Sequence, residues 1–399
     1  MRFRRWKFVR AHARRVPILG LALASSLALA SCRNADVAAP TALITADTPD
    51  LPDAPDDAEV PLALTTLTAR TYDGSGEFVH PDAYVFPTPW HGHRYWYVAT
   101  PYPNGNSALE NPSLFLRSGP ATWDALAGLT NPLARPESGA YLSDPDLQYD
   151  DARDELRLYY RQTTKEHDQL FIVTSGDGGT WGPPRKLLEE SKYSLISPAV
   201  SRAGDGAWHM WTVDASNGGC RAGAAQVSLT RRRSQDGLAW GAPVPVHLNI
   251  PHFVPWHLDV QYIRARKEYW TLVAAYPDGS NCSYTSVFFG RSTDGTRWRM
   301  SPTPLLAPGA LLAVRDLVYR STFHYHAGSD AVSVWFSGAR LDLGAYIYGG
   351  AEARYTLNDL LQRVEQPLGD QVSVRDRTRT EPPSVLDSVA RAAFVDAFP

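Results

Sequence analysis

The sequence predicts an all-β fold, a five-bladed β-propeller that follows an N-terminal lipoprotein signal and a disordered tether. Three observations predict it. A seven-residue motif recurs every 58 or 59 residues, β-rich segments lie between its copies, and an apolar run that ends in cysteine opens the chain. The predicted boundaries are residues 1–31 for the signal, 32–61 for the tether, 62–368 for the propeller and 369–399 for a tail with a short amphipathic helix.

The composition of the 399 residues excludes several classes of function. Hydrophobic residues make up 44% and charged residues 20%, as in ordinary soluble domains. The formal charge of −3 includes seven basic and no acidic residues within positions 1–31, so the rest of the chain carries −10. Because phosphate binding requires a basic face, this charge argues against nucleic acid as a partner and is compatible with a neutral glycan.

The first 32 residues have the organisation of an export signal. A basic start precedes an apolar run at residues 16–30, which is too short to span a bilayer comfortably. The run ends in Leu29-Ala30-Ser31-Cys32, which resembles the lipobox of bacterial lipoproteins. We therefore expect Cys32 to be acylated. The exported protein is expected to be a monomer at the cell envelope, attached to the outer membrane by its lipid alone. An ordinary signal peptide with an incidental cysteine is the alternative.

The repeated motif is S-x-D-G-x-x-W, beginning at Ser175, Ser234 and Ser292, with a shorter degenerate copy at residues 118–123. In it, Asp and Gly are expected to form a tight turn that Ser caps, and Trp to fill the space between neighbouring blades. The motif resembles the Asp-box of sialidase-type propellers with one residue fewer between Asp and Trp. This resemblance implies a structural role.

Each repeat contains a short inner strand, a polar turn and an aromatic second strand. The alternation of apolar and polar residues predicts five inner strands, at residues 82–86, 146–149, 199–201, 259–263 and 316–320. A further strand at residues 65–71 is expected to complete the fifth blade. Closing the ring in this way would remove open sheet edges.

The topology of a four-stranded blade indicates which polar residues meet. The starts of the first strands and the loops between second and third strands share one face. Aligning the inner strands brings His80, Asp144, Ser197 and His257 to one axial mouth, with Val314-Arg315-Asp316 as the fifth segment. Glu110 ends a long polar loop on the same face.

At these positions the sequence resembles a known group. The motifs are His80-Pro-Asp-x-x-x-Phe-Pro, Tyr95-Trp96, Thr100-Pro-Tyr-Pro-Asn-Gly-Asn and Glu110-Asn-Pro. They resemble bacterial and phage proteins related to the five-bladed furanosidase-like glycoside hydrolases, the arabinanases and β-xylosidases. The resemblance implies acids at the axial mouth, and Asp144-Pro145 matches its Asp-Pro pattern. Position 80 departs from it, because His-Pro stands where Asp-Pro is expected.

These residues predict a glycan-active protein that is glycoside hydrolase-like and acts through a carboxylate pair. Glu110 is expected to be the proton donor, Asp144 the base or tuning carboxylate, and His80 a substitute for the missing base. The expected substrate-binding residues are His257, Ser197, Asp82, Asn104, Tyr102 and Trp256.

Three alternatives remain open at this point. The propeller could bind carbohydrate without catalysis, or its acidic surface could bind a protein. No cofactor or metal is predicted, although His80, His257 and a carboxylate together would form a metal site. Their spacing in the sequence is not a metal signature.

The remaining cysteines predict one disulfide. Cys220 and Cys282 fall in corresponding loops of adjacent repeats, on one face of a protein expected to be exported. A bridge between them would join two loops at the rim of the mouth.

Overall fold

The computed structural model describes residues 63–309 and 311–365. They form an all-β structure with one α-helix, which confirms the all-β part of the predicted fold class. The predicted signal at residues 1–31, Cys32, the tether and the predicted helix of the 369–399 tail lie outside the described residues. Within the described ranges, no helix is long and apolar enough to cross a membrane.

Twenty strands and the helix follow one another within these described ranges. They are β1 (Ala63–Ala69), β2 (Phe78–Trp90), β3 (His93–Pro101), β4 (Ser113–Gly119), β5 (Thr122–Asp124), β6 (Tyr141–Asp150), β7 (Glu155–Thr163), β8 (His167–Ser175), β9 (Arg185–Ser191), β10 (Ile196–Arg202), β11 (Trp208–Asp214), β12 (Ser228–Ser234), β13 (Val244–Val246), β14 (Phe253–Ile263), β15 (Glu268–Pro277), β16 (Ser286–Ser292), β17 (Arg299–Met300), β18 (Leu317–His326), β19 (Ala331–Asp342), β20 (Ala345–Thr356) and α1 (Leu357–Glu365).

The strands form three four-stranded sheets and one eight-stranded sheet. The four-stranded sheets are antiparallel and follow chain order, as β6 to β9, β10 to β13 and β14 to β17. The eight-stranded sheet runs β18-β19-β20-β1-β5-β4-β3-β2, and its two halves join through a short parallel pairing of β1 with β5. Strand β1 also pairs antiparallel with β20, so the predicted N-terminal closing strand exists and begins two residues earlier than expected.

The first strands β2, β6, β10, β14 and β18 contact one another in a closed cycle. Hydrogen bonds connect consecutive first strands from β2 to β18. The Asp146 carboxylate accepts from the backbone of Val200 at 3.1 Å, and the Ser201 hydroxyl accepts from the backbone of Tyr262 at 2.9 Å. The large aromatic side chains of the second strands are buried between sheets, including Trp96, Tyr159, Trp211, Trp270 and Trp335.

The repeated motif forms the turn that its residues predict. In the third full copy, Asp294 Oδ1 accepts from the backbone nitrogens of Thr296 and Arg297 at 2.7 and 2.8 Å, and Ser292 Oγ accepts from Gly295 at 2.9 Å. Gly295 has φ +69°, and a Cβ there would lie 2.9 Å from the ring of Trp211 in the preceding sheet. The glycine of the turn therefore packs against the preceding sheet. The motif tryptophans Trp181, Trp240 and Trp298 are partly buried, and the ring of Trp240 lies 6.3 Å from that of Tyr159 in the preceding sheet.

Each first strand is irregular near its start. Register shifts occur at residues 79–82, 143–146, 196–199, 255–257 and 318–321. His80, Asp144 and Ser197 occupy the first three of these bulges with φ of 53°, 52° and 50°. Such conformations are costly for residues other than glycine and often mark functional positions.

The fifth inner strand corrects one sequence alignment. The prediction placed Val314-Arg315-Asp316 beside His80 and Asp144, but β18 begins at Leu317 and its bulge contains Tyr319 and Arg320. The error arose because Asp316 was aligned with Asp82, the aspartate two residues after His80. The Asp316 carboxylate instead accepts a hydrogen bond from the Leu341 backbone at 2.6 Å.

The predicted disulfide is confirmed. Cys220 and Cys282 are bonded, with their Cα atoms 5.0 Å apart and a sequence separation of 62. Each cysteine lies in a short 3₁₀ segment that follows the second strand of its sheet. The bridge therefore joins corresponding loops of two adjacent sheets.

Candidate active site

The bulges of the first strands bring two histidines and an aspartate together. His80 comes from β2, Asp144 from β6 and His257 from β14, and all three side chains are at most 2% exposed. The rings of His80 and His257 are 5.0 Å apart, and Tyr319 from β18 packs against both. Four of the five first strands therefore contribute to this cluster.

Glu110 and Asp144 approach His80 from its two nitrogens. His80 Nδ1 lies 2.9 Å from Glu110 Oε1, and its Nε2 lies 3.6 Å from Asp144 Oδ1. Glu110 is positioned by the 3₁₀ turn Ser107–Leu109, because its backbone nitrogen donates to the Ser107 carbonyl at 3.1 Å. The structure thus brings together the three residues that the sequence proposed as catalytic.

His257 is held through a single nitrogen. Its Nδ1 lies 2.6 Å from Ser197 Oγ and 3.2 Å from Asp144 Oδ1, while its buried Nε2 has no hydrogen-bond partner. A serine-hydrolase triad requires Ser and Asp on opposite nitrogens of the imidazole. This arrangement therefore does not activate Ser197 as a nucleophile.

The two oxygens of Asp144 differ in their surroundings. Oδ2 accepts hydrogen bonds from Ser143 Oγ and the Ser197 backbone, both at 3.3 Å, and lies 3.0 Å from Arg161 Nε. Oδ1 is buried and faces the two imidazoles, 3.2 Å from His257 Nδ1 and 3.6 Å from His80 Nε2. Burial alone would raise the pKa of Asp144, but Arg161 and the two histidines hold that pKa well below its ordinary value. Asp144 is therefore a carboxylate at neutral pH.

Burial shifts the other ionisable groups toward their neutral forms. It lowers the pKa of His80 and of His257, against the opposing attraction of Asp144. It raises the pKa of Glu110, although His80 partly offsets this effect. The cluster accordingly combines neutral imidazoles, a charged Asp144 and a Glu110 that retains a proton more readily than an exposed glutamate.

These residues fit a metal ion. One ligand atom from each of His80, Asp144 and His257 lies within 4.8 Å of the other two. His80 Nε2 is buried without a hydrogen bond while its Nδ1 faces Glu110, and His80 Nε2 and His257 Nδ1 lie 3.6 and 3.2 Å from Asp144 Oδ1. An imidazole whose Nδ1 faces a carboxylate and whose Nε2 is free is the usual state of a metal-ligating histidine. Two imidazoles and one carboxylate suit a first-row divalent ion.

Most of the predicted substrate-binding residues are buried around this cluster. Trp256 is 3% exposed and donates its indole N–H to the Tyr319 hydroxyl at 3.1 Å. Tyr102 is 1% exposed, with its ring centre 4.8 Å from that of Tyr348. Asn104 lies in the loop after β3, with φ of 53°. In these positions Trp256 and Tyr102 form the walls of the cluster.

Asp82 belongs to a second cluster. Its carboxylate lies near those of Asp146 and Asp259, with one oxygen of each within 4.8 Å of the others, and all three are buried. Asp82 accepts a hydrogen bond from the Leu147 backbone, and Asp259 accepts one from Thr322 Oγ1 at 3.0 Å. These bonds join adjacent first strands. The structure therefore gives Asp82 a structural contact, away from the histidines.

Sequence reasoning missed four buried residues beside Asp144. They are Arg161, Asp168, Tyr319 and Arg320. Arg161 lies within an aromatic second strand, where an inward-facing arginine is unexpected. That arginine was the sequence feature that could have indicated its role. Arg320 Nη1 lies 3.8 Å from Asp144 Oδ1. Tyr319 and Arg320 were hidden by the misaligned fifth strand.

Comparisons with known proteins define the fold. The chain is 28% identical over 333 residues to an A type blood N-acetyl-α-D-galactosamine deacetylase of Flavonifractor plautii, covering 70% of this chain and 42% of that protein. The chain thus spans less than half the length of this curated relative. No protein-family profile matches the chain.

Solved structures show the same architecture. An N-acetylgalactosamine deacetylase from F. plautii, in complex with blood group B trisaccharide, superposes with a TM-score of 0.69 at 24% identity, covering 80% of this chain and all of that one. The chain has a β-propeller fold. A xylan β-1,4-xylosidase from Bacillus halodurans C-125 gives a TM-score of 0.52 at 15% identity, covering 69% of this chain and 52% of the other. A thermostable family-43 glycoside hydrolase gives 0.50 at 12%, covering 69% and 88%. At the level of fold, the expected likeness to furanosidase-like hydrolases is confirmed.

Proposed function

We propose that this protein is a metal-dependent deacetylase of N-acetylated sugars. The observation that carries the proposal is the convergence of two buried imidazoles on one carboxylate oxygen, with His80 Nε2 3.6 Å and His257 Nδ1 3.2 Å from Asp144 Oδ1. A furanosidase-like hydrolase needs carboxylates at these positions, whereas two imidazoles and one carboxylate provide a divalent-ion site. The sequence similarity to an N-acetylgalactosamine deacetylase supports the same reaction class.

The residues of the site fall into two groups, those that would hold the metal ion and the one that would exchange protons. His80, Asp144 and His257 hold the ion, which when bound polarises an acyl oxygen and lowers the pKa of a water molecule. Glu110 lies 2.9 Å from His80 on the side away from Asp144, and burial raises its pKa. We assign to Glu110 the proton exchange that amide hydrolysis requires, in which water adds to the acetyl carbon, the C–N bond breaks and the amine leaves protonated.

The proposed substrate is a glycan with a terminal N-acetylhexosamine, and its products are acetate and the amino sugar. The cluster is lined by Tyr319, Trp256 and Tyr102, which offer apolar ring surface beside the acyl group. N-Acetylgalactosamine is the first sugar to test, because it is the substrate named for the relative from F. plautii.

The decisive experiment measures acetate release from an oligosaccharide with terminal N-acetylgalactosamine. Acetate release should stop after chelation and return when Zn²⁺, Mn²⁺ or Fe²⁺ is added, and His257→Ala should abolish it. The matched control is His326→Ala, because His326 is also a buried histidine, bonded through Nε2 to Ser333 at 3.0 Å, but lies in the β18–β19 hairpin. Acetate release that persists in fully chelated protein would refute the proposal.

Glycoside hydrolysis is the second candidate. Glu110 as acid and Asp144 as base form the carboxylate pair, and their pKa values are shifted in opposite directions, upward for Glu110 and downward for Asp144. The same reaction mixtures distinguish the two, since hydrolysis releases a reducing sugar and deacetylation releases acetate. Screening arabinan, xylan, fructan and mannan fragments extends the test. Binding without either product would instead support a carbohydrate-binding protein.

The architecture supports a count of five blades. Dividing the eight-stranded sheet at the two-residue parallel pairing of β1 with β5 leaves five groups of four strands. The cycle of first strands supports the same count. An experimental structure would test it.

We also propose that Cys32 carries the lipid anchor and that the protein is a monomer at the outer membrane. The basic start, the apolar run at residues 16–30 and the Leu-Ala-Ser-Cys ending support acylation. Cys32→Ser should lose incorporation of labelled fatty acid and leave the membrane fraction or retain its signal. Unchanged membrane partitioning of this variant would contradict the anchor.

A further inference from the structure

We propose that Arg161 and Asp168 form a positioning pair that fixes the Asp144 carboxylate so that a single oxygen, Oδ1, faces His80 and His257. This inference rests on the proposed metal site and assigns to it two residues that touch neither histidine. It follows from three features of the described residues, namely the contacts of Asp144, the contacts of Asp168 and the burial of the pair.

Arg161 occupies the far side of Asp144. Its Nε lies 3.0 Å from Asp144 Oδ2 and donates to Ser143 Oγ at 3.1 Å. Together with the donors from Ser143 and the Ser197 backbone, this contact fills the acceptor positions of Oδ2. Rotation of the carboxylate would bury these donors without acceptors, which is costly. Oδ1 therefore remains the oxygen that faces the histidines, so Asp144 would bind an ion through one oxygen.

Asp168 holds Arg161 in place. Arg161 Nη1 lies 3.4 Å from Asp168 Oδ2, and the same oxygen accepts from the Leu195 backbone at 3.1 Å. Asp168 Oδ1 accepts from Thr163 Oγ1 at 2.9 Å. Asp168 is fully buried, and Arg161 is 5% exposed. The pair thus connects β7 and β8 to the start of β10.

The segment reached by Asp168 also carries Ser197. Leu195 lies two residues before Ser197. The Ser197 backbone donates to Asp144 Oδ2, and its hydroxyl lies 2.6 Å from His257 Nδ1. One buried pair therefore sets both the orientation of Asp144 and the position of the group that orients His257. Outer partners of this kind typically change metal affinity or activity by roughly 10–100-fold when they are altered.

The chain provides a matched control on the same strand. Arg157, also on β7, is 1% exposed and is paired with Asp150 and with Glu155 at 3.0 Å. Arg157 pairs with Gln148 in the β6–β7 ladder, whereas Arg161 pairs with Ser143. The Arg157–Asp150 pair therefore lies toward the opposite end of both strands from Arg161. Arg157→Lys alters a buried arginine–aspartate pair of the same sheet without touching Asp144.

The test titrates chelated full-length protein with Co²⁺, whose visible absorption reports ligand geometry. Arg161→Lys and Asp168→Asn should each weaken Co²⁺ affinity about 10–100-fold and change the absorption bands. Arg157→Lys should lower thermal stability and leave Co²⁺ affinity and spectrum unchanged. Equal Co²⁺ affinity and spectrum in Arg161→Lys and the unmodified protein would overturn the inference, as would an equal loss in Arg157→Lys.

Two further outcomes separate this inference from the proposed function. If the unmodified protein binds Co²⁺ but releases no acetate, deacetylation fails, and the affinity comparison still decides the role of the pair. If it binds no divalent ion, the crystal structure of Arg161→Lys decides. A carboxylate rotated away from His257 supports positioning, whereas Asp144 Oδ1 retained near His257 Nδ1 refutes it.

Discussion

The hydroxyl oxygen of Ser197 lies 2.6 Å from Nδ1 of His257, the nitrogen that Asp144 Oδ1 also approaches at 3.2 Å. Two polar groups therefore converge on one side of the imidazole and leave Nε2 without a hydrogen bond. Because Ser197 adopts a positive φ within its bulge, this contact depends on a strained backbone that the surrounding sheet maintains.

Ser197→Ala should weaken divalent-ion affinity by roughly 10-fold, because His257 loses one of the groups that orient it. His257→Ala should abolish ion binding, since it removes a ligand. Isothermal titration with Mn²⁺ measures both. The control is Ser333→Ala, which breaks the Ser333–His326 hydrogen bond in the β18–β19 hairpin. An affinity for Ser197→Ala equal to that of the control would contradict an orienting role.

Glu110→Gln should lower kcat for acetate release by roughly 10²–10⁴-fold, because the amide keeps the shape of the side chain and cannot exchange the proton. Ion affinity should also fall, by roughly 10-fold, since Glu110 is the outer partner of His80 Nδ1. Assays at saturating ion separate the two effects. Glu352→Gln, at a buried glutamate of β20, is the control and should retain full kcat. Full activity in Glu110→Gln would exclude it as the proton-exchanging group.

Removal of the Cys220–Cys282 bridge by a double serine substitution should lower the free energy of unfolding by about 2–4 kcal/mol, because the unfolded chain regains the freedom of a 62-residue separation. Urea denaturation measures the loss. Reduction of the unmodified protein should give a comparable loss. Two thiols titrating in denatured, unreduced protein would show that the bridge does not form.

Gly295→Ala should destabilise the protein by about 1–3 kcal/mol. The backbone at this position is left-handed, which is unfavourable for alanine, and the new methyl group meets the ring of Trp211. Two matched substitutions separate the causes. Gly279→Ala has the same backbone requirement, with φ +84° and open space, and Gly328→Ala has neither constraint. Chemical denaturation should therefore rank the losses Gly295 first, Gly279 second and Gly328 last. A loss at Gly295 no larger than that at Gly279 would remove the contact with Trp211 from the explanation.

The stability contributed by Asp294 should disappear in acid. Although burial raises its pKa, the combined hydrogen bonds from the Arg297 and Thr296 backbone nitrogens lower the pKa to about 2, below the ordinary aspartate value. A lowered carboxylate pKa stabilises the folded state above roughly pH 4, and this stabilisation is lost as the pH falls toward 2. The difference in urea midpoint between the unmodified protein and Asp294→Ala should therefore be full at pH 7 and shrink between pH 4 and pH 2. Thr293→Ala, at the adjacent exposed residue, should show no such pH dependence, and a constant difference for Asp294→Ala would contradict this account.

The local pattern of the sequence was sufficient for the elements with short-range causes. The S-x-D-G-x-x-W turns form because Ser, Asp and Gly bond within four residues of one another, and their period indicates repeated sheets. The disulfide followed from two cysteines at equivalent positions of adjacent repeats. Blade topology also predicted that His80, Glu110, Asp144 and His257 lie close together, and their side chains are within 2.9–3.6 Å of one another in the pairs His80–Glu110, His80–Asp144 and His257–Asp144.

The tertiary structure alone decided what those residues can do. His80 and Asp82 are two positions apart, yet one joins the histidine cluster and the other bonds to the next first strand. Which nitrogen of His257 is free depends on Ser197 and Asp144, 60 and 113 residues away. Arg161 reads in sequence as a polar residue of an aromatic strand, and only the packing of β6, β8 and β10 around it shows that it fixes Asp144. The sequence by itself indicated most of the strands and the turns, because these depend on neighbouring residues. The choice between a carboxylate pair and a metal site depends on the orientation of individual atoms, which contacts between distant strands set.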